Sequence, residues 1–168
     1  MKQLKTLLIA AVAFFGTTQA INAQAKVAHV DVSELMQKMP AMIDAQKQLE
    51  KLSGTYDTEY KTMVEEFQAK VKKYEQESTL PGTTEQMNEE RSKEVQDMQK
   101  RIVDYRDNAQ KELQKKEADL VKPIMDKVKA SITKVGKAKG YQYVLNGTDL
   151  LLADGPNITA DVKKDLGF

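Results

Sequence analysis

Apolar residues in the middle of the chain recur every three or four positions. Met42, Ala45, Leu49, Leu52, Tyr56, Tyr60, Met63, Phe67, Val71 and Tyr74 form one series. Its mean step is about 3.6 residues, the period of an amphipathic helix or a loose coiled coil. The series stops at Ser78-Thr79-Leu80-Pro81-Gly82, where Pro81 ends a helix and Gly82 permits a tight reversal. Thr83 and Gln86 have capping-box spacing for a second helix. That helix carries Met87, Val95, Met98, Ile102, Tyr105, Ala109, Leu113, Leu120, Ile124, Val128, Ile132 and Val135, and Gly140 suits the position beyond its last turn. Pro123 lies inside this second run. It removes one helical hydrogen bond, which predicts a bend or hinge there.

Folding the two runs back at Pro81 sets Met42 against Leu120, Leu49 against Leu113, Tyr60 against Ile102, and Tyr74 beside Met87. Apolar then meets apolar down an antiparallel hairpin about 55 Å long. Val128, Ile132 and Val135 outrun the first helix and come level with residues 27–34, so they are expected to lie on a separate base.

The two ends of the chain supply that base. Val27, His29 and Asp31 alternate with Ala28, Val30 and Val32, as in a strand with one apolar face. Asp31 and Glu34 are spaced as a capping box for a short helix, and Pro40 suits the first turn of the long one. Tyr141–Leu145 and Leu150–Ala153 flank Asn146-Gly147, a hairpin signal, and Thr159 is placed to cap a last helix through Leu166. The fold class expected is α+β, a long antiparallel coiled-coil hairpin on a small β-rich body. Its divisions are residues 1–25, a body segment 26–40, the arm 41–123 with its turn near 79–83, and residues 124–168 for the helix base and the rest of the body.

Residues 1–25 read as an export signal. Lys2 and Lys5 precede the apolar run Leu7–Phe15, which is too short to span a bilayer, and Ala23-Gln24-Ala25 fits a signal peptidase site. Cleavage is expected after Ala25, with Ala23 and Ala20 as alternatives. There is no cysteine, hence no disulfide framework, thiolate metal site or lipid attachment point. The chain has 26 basic and 25 acidic residues; without Lys2 and Lys5 the balance is 24 to 25, a net of −1. The two signs are mixed, which argues against a nucleic-acid partner.

Little in the sequence points to catalysis. His29 is the single histidine and reads as a strand residue beside a cap. No nucleophile elbow, phosphate loop or metal cluster is present, and no cofactor is expected. The methionines Met42, Met63, Met87 and Met98 sit on the seam and read as filling. Val64, Val103, Val121 and Met125 lie off the seam and need another surface to cover them, either a second subunit or a client chain.

Both ends resemble one known family. Lys26-Val27-Ala28-His29-Val30-Asp31-Val32 is similar to the first strand of the Skp (OmpH-like) family of periplasmic chaperones. Gly140-Tyr141-Gln142-Tyr143-Val144-Leu145 resembles its glycine-tyrosine strand, and Leu150–Ala153 with Ile158-Thr159-Ala160-Asp161-Val162 resembles its closing strand and helix. The resemblance implies a homotrimer whose strands build a central body. Three arms would then surround a cavity that holds unfolded outer-membrane β-barrel proteins without nucleotide. It makes Val27, Val30, Val32, Tyr141, Tyr143, Leu145 and Leu151 candidates for the trimer body, and Val64, Val103, Val121 and Met125 candidates for client contact. One departure stands out. Family members are strongly basic with positive arm tips, whereas Glu75–Glu89 here contains no lysine or arginine. That argues against membrane contact through the tips, although Lys70, Lys72 and Lys73 lie just below them. The function expected is a periplasmic holdase for unfolded outer-membrane proteins; the alternative is a structural spacer or adaptor of the envelope.

Overall fold

The computed structural model describes residues 25–168. The export signal read from Lys2, Lys5 and Leu7–Phe15 lies outside the described residues. In chain order the elements are β1 (Val27–Val30), α1 (Val32–Lys38), α2 (Pro40–Glu77), α3 (Glu85–Ala138), β2 (Tyr143–Asn146) and α4 (Thr159–Leu166).

Helix α1 begins where Asp31 accepts the Glu34 N–H at 2.8 Å. The other half of the expected capping box does not form. The Asp31 N–H donates to Thr159 Oγ1 at 2.9 Å, and the Glu34 carboxylate accepts from Lys38 and Lys163. Contacts from the far end of the chain have displaced the local one. Pro40 then opens α2 at its first turn, where its missing N–H costs nothing.

Helices α2 and α3 form the expected antiparallel hairpin, and the 38 residues of α2 give it a length of about 57 Å. The rings of Tyr56 and Tyr105 meet edge-on with centroids 6.1 Å apart. Toward the tip the pairing departs from the expected register. Tyr74 bonds Glu94 and lies under the Arg91 guanidinium at 5.1 Å, rather than beside Met87. The reversal also differs in detail from the expected one. Gly82 takes φ +93°, Thr83 Oγ1 donates to the Glu77 carbonyl at 2.8 Å, and Thr84 rather than Thr83 caps α3 through the Met87 N–H. Thr83 thus satisfies an orphan carbonyl at the end of α2. Pro81 and Gly82 occupy the turn, and α3 continues as helix through Pro123.

The base corrects the strand reading. β1 and β2 pair in parallel, Val27 opposite Tyr143 through Val30 opposite Asn146, with the helices as the crossover between them. Asn146-Gly147 makes no hairpin, Tyr141 precedes the strand, and Leu150–Ala153 is not a strand. The Asn146 side chain is engaged elsewhere, accepting the Val32 N–H at 3.4 Å and donating to Asp149 at 3.0 Å. Gly147–Asp149 form a 3-10 turn, and the chain swings away until Asn157 bridges to His29 on the other side of β1. Thr159 was expected to cap α4, but its hydroxyl holds Asp31; its own N–H donates to Asn157 Oδ1 at 2.9 Å.

The core sits in this base. Leu35, Val30, Val128, Ile158 and Val162 are fully buried, joined by Ala28, Met39, Ala45 and Ile124, with Ile132 and Val135 packed against them. The lower end of α3 therefore lies on the base, as its unpaired apolar residues require. Gly136 brings α3 close to β2: a Cβ there would meet Val144 Cγ2 at 2.9 Å.

Candidate functional site

The two edges of the helical hairpin differ. At 100° per residue, Glu59, Lys70, Glu77, Arg91, Glu94 and Tyr105 fall toward one edge. There the helices are bonded to each other. Tyr105 donates to Glu59 and Arg91 to Glu77, each at 2.6 Å, and Lys70 and Tyr74 share Glu94. Lys70, helped by the Tyr74 hydroxyl, holds the Glu94 carboxyl below the usual range. Burial, with the neighbouring Glu59 carboxylate, pushes Tyr105 up to about 12.

That edge also has a groove, of about 390 Å³, lined by Glu66, Ala69, Lys70, Lys73 and Met98. The other edge is open in that, among the described residues, no side-chain hydrogen bond joins the two helices across it. Near the tip a groove of about 400 Å³ is lined by Val71, Tyr74, Ser78, Asn88, Arg91 and Val95. Midway down, a second of about 340 Å³ is lined by Tyr56, Asp57, Tyr60, Tyr105, Arg106 and Leu113. Val64 is one turn beyond Tyr60 and Val103 is one turn before Arg106, so both belong to this edge. Val64 is half-buried and Val103 is 44% exposed. Val121 follows Val103 by about five turns and shares its stripe.

The base exposes a second apolar surface. β2 turns Val144 inward toward Gly136 and its alternate residues Tyr143 and Leu145 outward. Tyr143 is 60% exposed, Leu151 is fully exposed, and Val27 and Leu152 join them. Among the described residues β2 pairs only with β1, which leaves its outer edge unpaired there. Two short parallel strands with a bare face and a bare edge are an unstable arrangement by themselves.

Helix α4 is fastened to the base by buried apolar residues and by charges. Ile158 and Val162 enter the core. Asp165 accepts from Ser131 at 2.7 Å and from Lys134; Lys134, with Ser131, holds its carboxyl below the usual range. Asp161 meets Lys139 at 2.8 Å. Hydrogen bonds from Lys163, then Lys38, bring Glu34 down to about 2. Among the described residues, no cluster of His, Asp and Glu suits a metal ion, and no helix is long and apolar enough to cross a membrane.

Against known proteins, residues 26–166 match the outer membrane protein (OmpH-like) family. The chain belongs to that family. Two relatives within it are both named chaperone protein Skp. The one from Photorhabdus luminescens is 28% identical over 97% of this chain and 99% of its own. The one from Photorhabdus laumondii is 26% identical with the same coverage. An OmpH-like protein of Caulobacter crescentus, solved as a candidate outer membrane chaperone, superposes with a TM-score of 0.75 at 15% identity. The match covers 86% of this chain and 85% of that one, a likeness that shows the shared fold. The OmpH-like family is a chaperone family rather than an enzyme family.

Within this OmpH-like fold the residues singled out from sequence fall into separate places. Val64, Val103 and Val121 share the open edge of the arm. Met125 is half-buried one turn past Val121, and Pro123 is exposed between them. Val27, Tyr143, Leu145 and Leu151 are exposed at the base, whereas Val30 is enclosed in the core of its own chain and Val32 and Tyr141 pack against that core. The sequence reading missed the asymmetry of the arm's two edges and the groove flanked by Tyr56, Tyr60 and Tyr105. Both were within reach, because the edge residues repeat every three or four positions alongside the seam.

Proposed function

We propose that this chain is an ATP-independent holdase of the bacterial periplasm, acting as a homotrimer on unfolded outer-membrane β-barrel proteins. The observation that carries the reading is apolar surface left uncovered in two places. At the base, Tyr143, Leu145 and Leu151 lie exposed beside the unpaired edge of β2. Further copies of the chain would cover that surface and complete the sheet. On the arm, Val64 and Val103 sit on the open, grooved edge, where a client chain would cover them. Arms standing around a common base would keep client strands apart, so that their unpaired backbone could not aggregate. The near-neutral charge and the acidic tip favour contact with protein over contact with anionic lipid.

Light scattering of the protein with and without a denatured porin, in the absence of nucleotide, tests this directly. The expected result is a trimer that keeps the porin from aggregating. A lone monomer that lets the porin precipitate would refute it. A rod serving only as a spacer would not respond to changes at the open edge. Replacing Val64→Asp and Val103→Asp together is expected to weaken porin holding while the helical circular dichroism stays unchanged; undiminished holding would remove these residues from the client surface.

A further inference from the structure

Beyond Tyr60 in the mid-arm groove, helical spacing brings a strip of uncharged residues to the open edge, Tyr60, Val64 and Gln68 on α2 and Gln96, Gln99 and Val103 on α3, with Asp57 and Arg106 on its base side and Lys61 and Lys100 at its outer margins. The three glutamines are exposed and Tyr60 is 37% exposed. In a chain in which 30% of residues are charged, six such neighbours call for a reason. The opposite edge shows the contrast, with Glu66, Lys70, Lys73, Glu94, Asp97 and Arg101 at corresponding levels.

We propose that this strip binds the peptide backbone of extended, uncharged segments of an unfolded polypeptide; this rests on the holdase reading above. A carboxamide carries one acceptor and two donors of the same kind as a peptide group, so it pairs with backbone in either direction. The valines and Tyr60 supply shallow apolar contact between the amides. From Tyr60 to Gln68 the strip is about 12 Å long, room for three or four residues of an extended strand. Side chains on the helices repeat every 5.4 Å or so, and those on one face of a strand every 6.6 Å or so. The two spacings fall out of step within a few contacts. No single register is favoured, and a bound segment can slide. A strand destined for a β-barrel, with unpaired backbone and few charges on its outward face, is the occupant this chemistry suits. A charged occupant would be drawn to the opposite edge instead. Because the strip is neutral, holding should respond weakly to salt.

The test uses the full chain and a fluorophore-labelled, urea-denatured porin diluted into low-salt and high-salt buffer. Wild type is measured first; if it fails to hold the porin, the holdase reading falls and this proposal with it. If wild type holds, Gln68→Ala, Gln96→Ala and Gln99→Ala together should weaken holding about tenfold, the loss of a few net hydrogen bonds. The matched triple on the other edge, Glu66→Ala, Asp97→Ala and Arg101→Ala, should leave it within about twofold. Undiminished holding by the glutamine triple, a larger loss from the charged-edge triple, or a steep fall of wild-type affinity with salt would each overturn the proposal. So would a change of oligomeric state in the glutamine triple, which would assign the strip to a contact between copies.

Discussion

Two helical glycines should respond to the same substitution with opposite signs. Gly136 and Gly54 both lie inside long helices, where replacing glycine by alanine gains about 1 kcal/mol of helix propensity. At Gly54 an added Cβ meets nothing within 4 Å, so Gly54→Ala should stabilise the protein by that amount. At Gly136 the Cβ would lie 2.9 Å from Val144 Cγ2, where ordinary contact starts at 3.4 Å. Valine is stiff at χ1 and cannot swing its methyl aside cheaply, so β2 itself must move away. Overpacking of this kind costs about 1–3 kcal/mol, leaving Gly136→Ala neutral to about 2 kcal/mol destabilising. Urea titrations followed by circular dichroism, at one fixed protein concentration, measure both variants. In a Val144→Ala background the obstructing methyl is gone, and Gly136→Ala should then stabilise as Gly54→Ala does. The consequence would reach function, because Tyr143 and Leu145 flank Val144 and would be displaced with it from the proposed assembly face. Equal stabilisation by the two alanines in the wild-type background would show that the helix and strand are not in close contact at Gly136.

Acid should loosen the seat of α4. Glu34 is brought down to about 2 by Lys163 and Lys38, from an ordinary value of 4.5. Its contribution to stability is therefore complete above about pH 4.5 and is lost as the pH falls toward 2. Glu34→Gln should lower the melting temperature at neutral pH and flatten its decline over that window; superimposable melting-temperature profiles for the two proteins would remove Glu34 from the latch. Residual acid sensitivity is expected from Asp165, whose carboxyl is also held low. Pro123→Ala should restore one hydrogen bond to α3, stabilise the arm by up to about 3 kcal/mol, and narrow the distribution of tip-to-base distances between spin labels. An unchanged distribution would mean that the arm does not hinge at Pro123.

The hairpin was legible in the chain because its information is local and repeated. A seam residue every three or four positions, a proline and glycine at the break, and a glycine after the last turn define two helices and their antiparallel return. The same pattern placed Val128, Ile132 and Val135 on the base, since apolar residues that outrun a partner helix must be buried elsewhere. The off-seam valines were also readable, because helical spacing alone assigns an edge. The detail of the tip was not: Thr84 rather than Thr83 caps the second helix, and Tyr74 meets Arg91 and Glu94, one to two turns further along it than Met87.

The base could not be read in the same way. Asn146-Gly147 carries a strong local hairpin preference, yet the Asn146 side chain bonds Val32 and Asp149, and β2 pairs in parallel with a strand more than a hundred residues away. Thr159 carries a cap preference but secures Asp31 instead. Sequence by itself determined the elements whose stabilising contacts lie within a few turns along the chain: the two long helices, their reversal and their buried stripe. Tertiary structure alone decided the pairing of β1 with β2, the close approach at Gly136 and the latch of α4. The strand pairing and the latch join groups distant in sequence, and the pairing in turn sets Val144 against Gly136; burying these groups together outweighs local turn and cap preferences of about 1 kcal/mol.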